Sequence, residues 1–389
     1  MQIKKYAIRF LTFLSGILPA KKGVWLFGAW AGDLYSDNPK YLLKYIREEK
    51  KDVRAIWITK NEQVLQKLRQ EGVACYSRYS IKGIYYSLVA EACFVTYSVQ
   101  DVNPIINPKK TTVFDLWHGL GVKDTKWVDE NGNPPKAEDY LFMREYRWFG
   151  TSPYFTDTLS AEYFVDKEKF YITGFPRNDT FVKKTDASFM EEIRRKYPDR
   201  KLVIYMPTHR NFGEESNPAL SRDSLSEADA LLRKQNIMMV LKPHYYELNA
   251  VKMFADCFTN ILIASDPAIW GDPYEYLHYF DGLISDYSSV TSDFICSGKP
   301  AVLFPYDIEH YMKHDGGLLP IFWNVPAGPS CYTWEEVITT MSGLLKNDTW
   351  AEKREKCRKV YHQYNDGRNC ERAYETAKRI LAQRGEQGV

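Results

Sequence analysis

Four short polar clusters hold the residue types best suited to chemistry. Leu116-Trp117-His118-Gly119 closes an apolar run with an imidazole, and the glycine after it lets another chain approach closely. Histidine titrates near pH 6.5, so His118 suits proton removal from an alcohol at neutral pH; the plainer alternative is a structural histidine at a tight turn. Met206-Pro207-Thr208-His209-Arg210 and Leu241-Lys242-Pro243-His244 each end an apolar run with a cation or an imidazole. Such groups match the charge of a diphosphate and of a departing nucleotide, or simply cap strands at the surface. Ile284-Ser285-Asp286-Tyr287-Ser288-Ser289-Val290 leads from an apolar run into a helical pattern. There Ser288 and Ser289 offer hydroxyls beside a helix N-terminus, which serves N-capping and anion binding alike.

Positioning these clusters requires a parallel sheet. Gly23–Trp30, Val53–Thr59, Ala92–Val99, Thr112–Trp117 and Phe170–Thr173 read as short buried strands, with helical patterns such as Pro39–Glu49 and Ser80–Ala90 between them. Near-continuous apolar strands alternating with helices predict a parallel sheet covered on both faces. The stretch around Lys183–Arg200 is polar and charged, and after it the alternation begins again. Leu202–Met206, Ile237–Leu241, Ile261–Ala264, Gly282–Ser285 and Ala301–Phe304 read as strands of a second unit. The fold class is therefore α/β, with two Rossmann-like doubly wound domains facing a cleft, and all four clusters fall where such sheets bind ligands. The expected division is a membrane-associating segment at 1–22, a first Rossmann-like domain at 23–185, a second at 186–365, and a C-terminal helix at 366–389 that crosses back. The polar insert Lys123–Tyr146 is read as a lid or acceptor loop, with Lys123 and Trp127 as its candidate residues.

Composition limits the alternatives. A length of 389 residues suits two domains better than one core. A net charge of +2 gives no whole-molecule field that would demand nucleic acid. Seven scattered cysteines without a C-x-x-C pair argue against a disulfide framework and a zinc site, and fit a reducing cytoplasm. Lys4, Lys5, Arg9, Lys21 and Lys22 flank apolar side chains in a stretch too short to span a bilayer. That segment suits either a helix lying in an anionic membrane interface or a first helix packed on the body. No Asp-x-Asp pair and no phosphate-binding Walker loop occurs, so a metal-free, cofactor-free mechanism is expected.

The clusters, in their order and spacing, resemble the CDP-glycerol glycerophosphotransferase family of teichoic acid and capsule primases and polymerases. The resemblance rests on Trp117-His118-Gly119, Gly174-Phe175-Pro176-Arg177-Asn178-Asp179, Pro207-Thr208-His209-Arg210, Lys242-Pro243-His244, Asp286-Tyr287-Ser288-Ser289-Val290, Tyr306-Asp307-Ile308-Glu309-His310-Tyr311 and Asp366-Gly367-Arg368. It implies the GT-B arrangement, a CDP-glycerol or CDP-ribitol donor, a lipid-linked glycan acceptor, and peripheral attachment to the cytoplasmic face of the cell membrane. It also implies His118 as the base toward the acceptor hydroxyl, and His244 as a second catalytic residue beside the donor diphosphate. Thr208, Arg210, Lys242, His244, Asp286, Ser288 and Ser289 would form the donor site. The sequence departs from the polymerase pattern at Leu120-Gly121-Val122-Lys123 and after Tyr311, both expected to face acceptor or polyol. Rival readings are a GT-B glycosyltransferase using a nucleotide sugar and a non-catalytic nucleotide-binding membrane protein; donor specificity separates them.

Overall fold

The computed structural model describes residues 2–50, 52–120, 122–124, 143–208, 217–244, 247–314 and 317–386. The chain forms two units: Met1–His118, Trp127–Asp179 and Gln363–Val389 make the first, and Gly119–Lys126 with Thr180–His362 the second.

In chain order the strands are β1 (Lys21–Phe27), β2 (Arg54–Thr59), β3 (Cys75–Ser77), β4 (Ala90–Val95), β5 (Thr112–Asp115), β6 (Lys123–Asp124), β7 (Arg147–Gly150) and β8 (Phe170–Ile172). All but β6 build the first unit's sheet, in the order β3-β2-β1-β4-β5-β7-β8, with parallel pairing throughout. β9 (Lys201–Met206), β10 (Ile237–Leu241), β11 (Ile261–Ile263), β12 (Gly282–Ser285) and β13 (Ala301–Leu303) form the second, parallel in the order β11-β10-β9-β12-β13. β14 (Gly317–Leu318) pairs antiparallel with β6 inside the second unit. Both large sheets reverse their strand order once, between β1 and β4 and between β9 and β12, which is the doubly wound pattern.

Helices on both faces explain why the strand sequences are apolar without alternation. Trp25, Leu26 and Phe27 of β1 are wholly buried, as are Val203, Ile204 and Tyr205 of β9. The runs read as strands mostly end earlier than their apolar character does. Gly23–Trp30 stops at Phe27, since Trp30 and Ala31 take left-handed backbone angles (φ +51° and +53°). Ala92–Val99 stops at Val95, where Thr96 and Tyr97 turn their N–H groups to the Asp101 carboxylate. β3 and β7 went unread, and the polar stretch between the units holds a helix, Ser188–Lys196.

The N-terminal helix, Gln2–Ile17, lies against the helix Ile81–Val89 and buries Ser15. Its opposite face leaves Tyr6, Phe10, Phe13 and Ile17 each more than 60% exposed, spaced as one helical stripe. Among the described residues no helix is long and apolar enough to cross a membrane. The C-terminal helix, Asn369–Glu386, buries Ala373, Tyr374, Ala377 and Ile380 in the first unit's core. Its first turn is tied to Asp179, whose two oxygens accept the Asn369 and Cys370 N–H groups at 2.8 and 2.9 Å. Gly174 (φ +78°) sits against that turn, and a Cβ there would lie 2.2 Å from Asn369 Oδ1. Asp179→Ala strips two helix N–H groups of their acceptor and is expected to cost about 1–3 kcal/mol in urea unfolding, with Asp179→Asn costing less.

Candidate active site

Each unit presents its polar groups beyond the carboxyl ends of its strands. In the first, β5 ends at Asp115 and the chain turns sharply through Trp117 (φ +53°) and Gly119 (φ +155°) around His118. His118 Nδ1 lies 3.0 Å from the Thr96 carbonyl oxygen. A carbonyl only accepts, so Nδ1 carries the proton and Nε2 keeps its lone pair. Burial pushes the imidazole pKa below its ordinary 6.5, and the Arg177 charge adds to the lowering against the Thr96 bond and the Asp37 charge. The result is a neutral imidazole, half-buried, with its acceptor nitrogen free of the backbone bond.

Three rings surround it: Trp117 at 4.5 Å between centroids, Trp30 at 5.7 Å and Tyr97 at 6.3 Å. The backbone is held just as closely. Asn38 Nδ2 donates to the Leu116 and Trp117 carbonyls at 3.0 and 2.9 Å. Arg177 Nη1 donates to the His118 carbonyl at 2.9 Å and to Asp37 Oδ1 at 2.7 Å, with both charged side chains only 3% exposed. Arg177 N in turn donates to Asn38 Oδ1. Thr96, which fixes the His118 tautomer, is held by Asp101: its N–H and hydroxyl donate to Asp101 Oδ2 at 2.9 and 2.8 Å. Beneath this turn Asp115 is fully buried, accepts the Trp117 N–H, and has its pKa raised by burial first and by the nearby Asp101 and Asp37 charges.

In the second unit the donor candidates stand on three adjacent strands. Thr208 follows β9, Lys242 and His244 follow β10, and Asp286, Ser288 and Ser289 follow β12. Thr208 N donates to both Asp286 oxygens at 3.0 Å, and its hydroxyl to Oδ1 at 2.6 Å. This bond spans the point where the strand order reverses. Ser285 Oγ donates to the Met206 carbonyl at 2.6 Å across the same pair of strands. Lys242 is pinned through its N–H to the Tyr205 carbonyl, and burial lowers its ammonium pKa while the Asp272 charge opposes the shift. His244 is exposed, and Ser288 and Ser289 are half-buried. Ser288 Oγ accepts the Val290 N–H at 3.4 Å, whereas Ser289, at the N-cap of the short helix Val290–Phe294, makes no cap bond with its side chain.

The geometry thus gathers Thr208, Lys242, His244, Asp286, Ser288 and Ser289 at one end of one sheet, and puts His118 at the corresponding end of the other. Lys123 belongs to β6 of the second unit, with its ammonium 5.8 Å from the Tyr311 ring centre, which stacks on Tyr287 at 4.1 Å. His209, Arg210 and Trp127 lie outside the described residues, as does most of the insert read as a lid. Among the described residues no group of three or more His, Cys, Asp or Glu side chains is placed to hold a metal ion. Sequence reasoning missed Asp37, Asn38, Thr96 and Asp101. The only local signal was polar character at strand ends and at a helix start, since each partner comes from a distant stretch of chain.

The family model for CDP-glycerol:poly(glycerophosphate) glycerophosphotransferase matches residues 10–378, nearly the whole of both units. The chain belongs to this family. It is 28% identical to a teichoic acid poly(glycerol phosphate) polymerase of Staphylococcus epidermidis over 77% of its own length, but spans only 42% of that protein. A teichoic acid glycerol-phosphate transferase of Staphylococcus aureus is 25% identical, with 92% of this chain and 93% of that one covered. A solved variant of the wall teichoic acid polymerase TagF superposes with a TM-score of 0.79 at 20% identity, over 99% of this chain and 97% of that one. That likeness establishes the fold as the two-domain, Rossmann-like GT-B type.

Arg177→Met removes the cation from the buried Asp37–Arg177 ion pair and is expected to destabilise the protein by about 3–5 kcal/mol. The double variant Arg177→Met with Asp37→Asn removes the opposite charge as well, keeps an acceptor for the Asn38 N–H and suits the left-handed backbone, so it recovers part of that loss. Urea unfolding of the two variants beside the parent measures both.

Proposed function

We propose that this chain transfers glycerol phosphate or ribitol phosphate from a CDP-activated donor to a hydroxyl of a membrane-linked glycan, in teichoic acid or capsule assembly. The reading is carried by His118: in a chain of this family, its Nδ1–H is spent on the Thr96 carbonyl and its Nε2 is left to accept a proton. The acceptor hydroxyl gives its proton to Nε2 as its oxygen attacks the polyol-bearing phosphorus. The bond from that phosphorus to the bridging diphosphate oxygen breaks, and CMP departs with the bonding pair. Lys242, Arg210 and the hydroxyls of Ser288 and Ser289 stabilise the charge on the phosphates, with His244 beside the departing diphosphate; the Thr208 hydroxyl proton is committed to Asp286, so Thr208 shapes the donor site through its turn. Asp286 holds the Thr208 turn, so its work is positioning. Such a transfer needs little beyond orientation and electrostatics.

The N-terminal helix supports attachment to the membrane surface, which we assign to the cytoplasmic face. The exposed stripe Tyr6, Phe10, Phe13 and Ile17, with Arg9, Lys21 and Lys22 beside it in sequence, has the composition of an interfacial helix. Replacing Phe10 and Phe13 together by Glu is expected to release the protein from vesicles containing anionic lipid, read by co-sedimentation. Unchanged sedimentation would remove this helix as the anchor.

The catalytic test offers CDP-glycerol and CDP-ribitol separately with a lipid-linked disaccharide and follows CMP release. His118→Ala is expected to lower turnover by about 10²- to 10⁴-fold while leaving donor binding intact. The neutral imidazole is the competent form and burial holds its pKa under 6.5, so the acidic limb of kcat/KM falls below that pH. Wild-type turnover by His118→Ala, or a limb above pH 6.5, overturns the assignment.

A further inference from the structure

We propose that Trp30 is a stacking platform for a pyranose ring at the acceptor end, so that the hydroxyl next to His118 belongs to a sugar rather than to an acyclic polyol. The inference rests on the assignment of His118 as the base and adds the class of molecule that faces it.

Trp30 follows β1 in the first unit, is 46% exposed, and has its ring centre 5.7 Å from that of His118. No packing need explains its place, because a Trp recruited to a core is covered. Its backbone, moreover, is held in a conformation that side-chain-bearing residues avoid: Trp30 and Ala31 are both left-handed, at φ +51° and +53°. Three bonds hold them there, and a fourth anchors the arginine that makes one of them. Trp30 N donates to Thr96 Oγ1, Ala31 N to Asp101 Oδ1 at 2.7 Å, and Arg78 Nη2 to the carbonyls of Ala31 and Gln100 at 2.9 and 2.7 Å. Gly32 makes room for that guanidinium, since a Cβ would lie 1.9 Å from Nη2. Asp101 and Thr96 also fix His118, so one network sets both the base and the exposed indole.

A flat, exposed indole beside a proton acceptor matches the C–H face of a pyranose, with hydroxyls projecting at the ring edge toward the base. An open-chain polyol phosphate has no such face, and it brings a charge that an indole does not answer.

The test compares octyl disaccharide with octyl glycerol phosphate as acceptor probes, for wild type, Trp30→Ala and Trp30→Phe. Ala and Phe keep a Cβ at a left-handed position, so the backbone demand is unchanged. The proposal expects Trp30→Ala to raise KM for the octyl disaccharide about tenfold, leave KM for the CDP-polyol unchanged, and spare kcat at saturation. Trp30→Phe should recover most of the loss. Calorimetric titration of octyl disaccharide into the protein without donor should show the same loss of affinity. An unaltered disaccharide affinity and KM in Trp30→Ala, or a preference for octyl glycerol phosphate that ignores Trp30, overturns the platform. Those outcomes leave the reaction standing if CMP release still depends on His118; absence of transfer from both CDP-polyols sinks the reaction instead, and the titration still decides the platform.

Discussion

Burying a guanidinium costs several kcal/mol unless its charge is met by an opposite one in good geometry. Arg177 is buried to 3% exposure, and much of the first unit is arranged around meeting that demand. Asp37 supplies the charge by taking a left-handed conformation (φ +65°) at the start of its helix. The His118 carbonyl takes a second N–H, and Asn38 joins the group to the two carbonyls before it. Three stretches far apart in sequence are thereby locked to one another, and the histidine between them has little freedom to drift. A weaker tie would loosen the backbone that carries the imidazole and leave the Thr96 carbonyl to hold the ring by itself.

The two units solve the same local problem in the same way. Where strand order reverses, two neighbouring strands send their chains in opposite directions and leave backbone N–H groups without a ladder partner. In the second unit the Asp286 carboxylate closes that gap by accepting from the Thr208 N–H and hydroxyl. In the first, Asp101 accepts from the Thr96 N–H and hydroxyl and from the Ala31 N–H, joining the loops after β4 and β1. An aspartate paired with a threonine at each reversal point leaves the rest of the crevice open to a ligand. The family match and the TagF-like fold give that shared device its setting, a pair of doubly wound parallel sheets.

Much of this was legible from residue order alone. β10 and β12 were read to the residue, and all four polar clusters follow strand ends, because apolar runs bounded by Pro, Gly or Ser leave little choice. What escaped had physical reasons. β3 is Cys75-Tyr76-Ser77 with only Cys75 buried, and β7 opens on a charged Arg147 after a polar stretch, so neither offered an apolar run to read. Ser188–Lys196 buries only Met190, and a helix with so thin an apolar face looks like a linker. Arg177 was singled out within its motif, but its partner lies 140 residues away, and no periodicity carries information over that distance. The tautomer of His118 likewise depends on a carbonyl, a group every residue has.

The knot between Asp179 and the Asn369–Cys370 turn joins positions 190 residues apart, with all of the second unit except Gly119–Lys126 encoded between them. During synthesis at about 5–20 residues per second, that carboxylate emerges roughly ten to forty seconds before the amides it will hold. Over the same interval the groove destined for Ala373, Tyr374 and Ala377 stands open to water with its apolar lining uncovered. The half of the molecule made first is therefore the half finished last, and its nascent form is the one that most needs shelter from other chains.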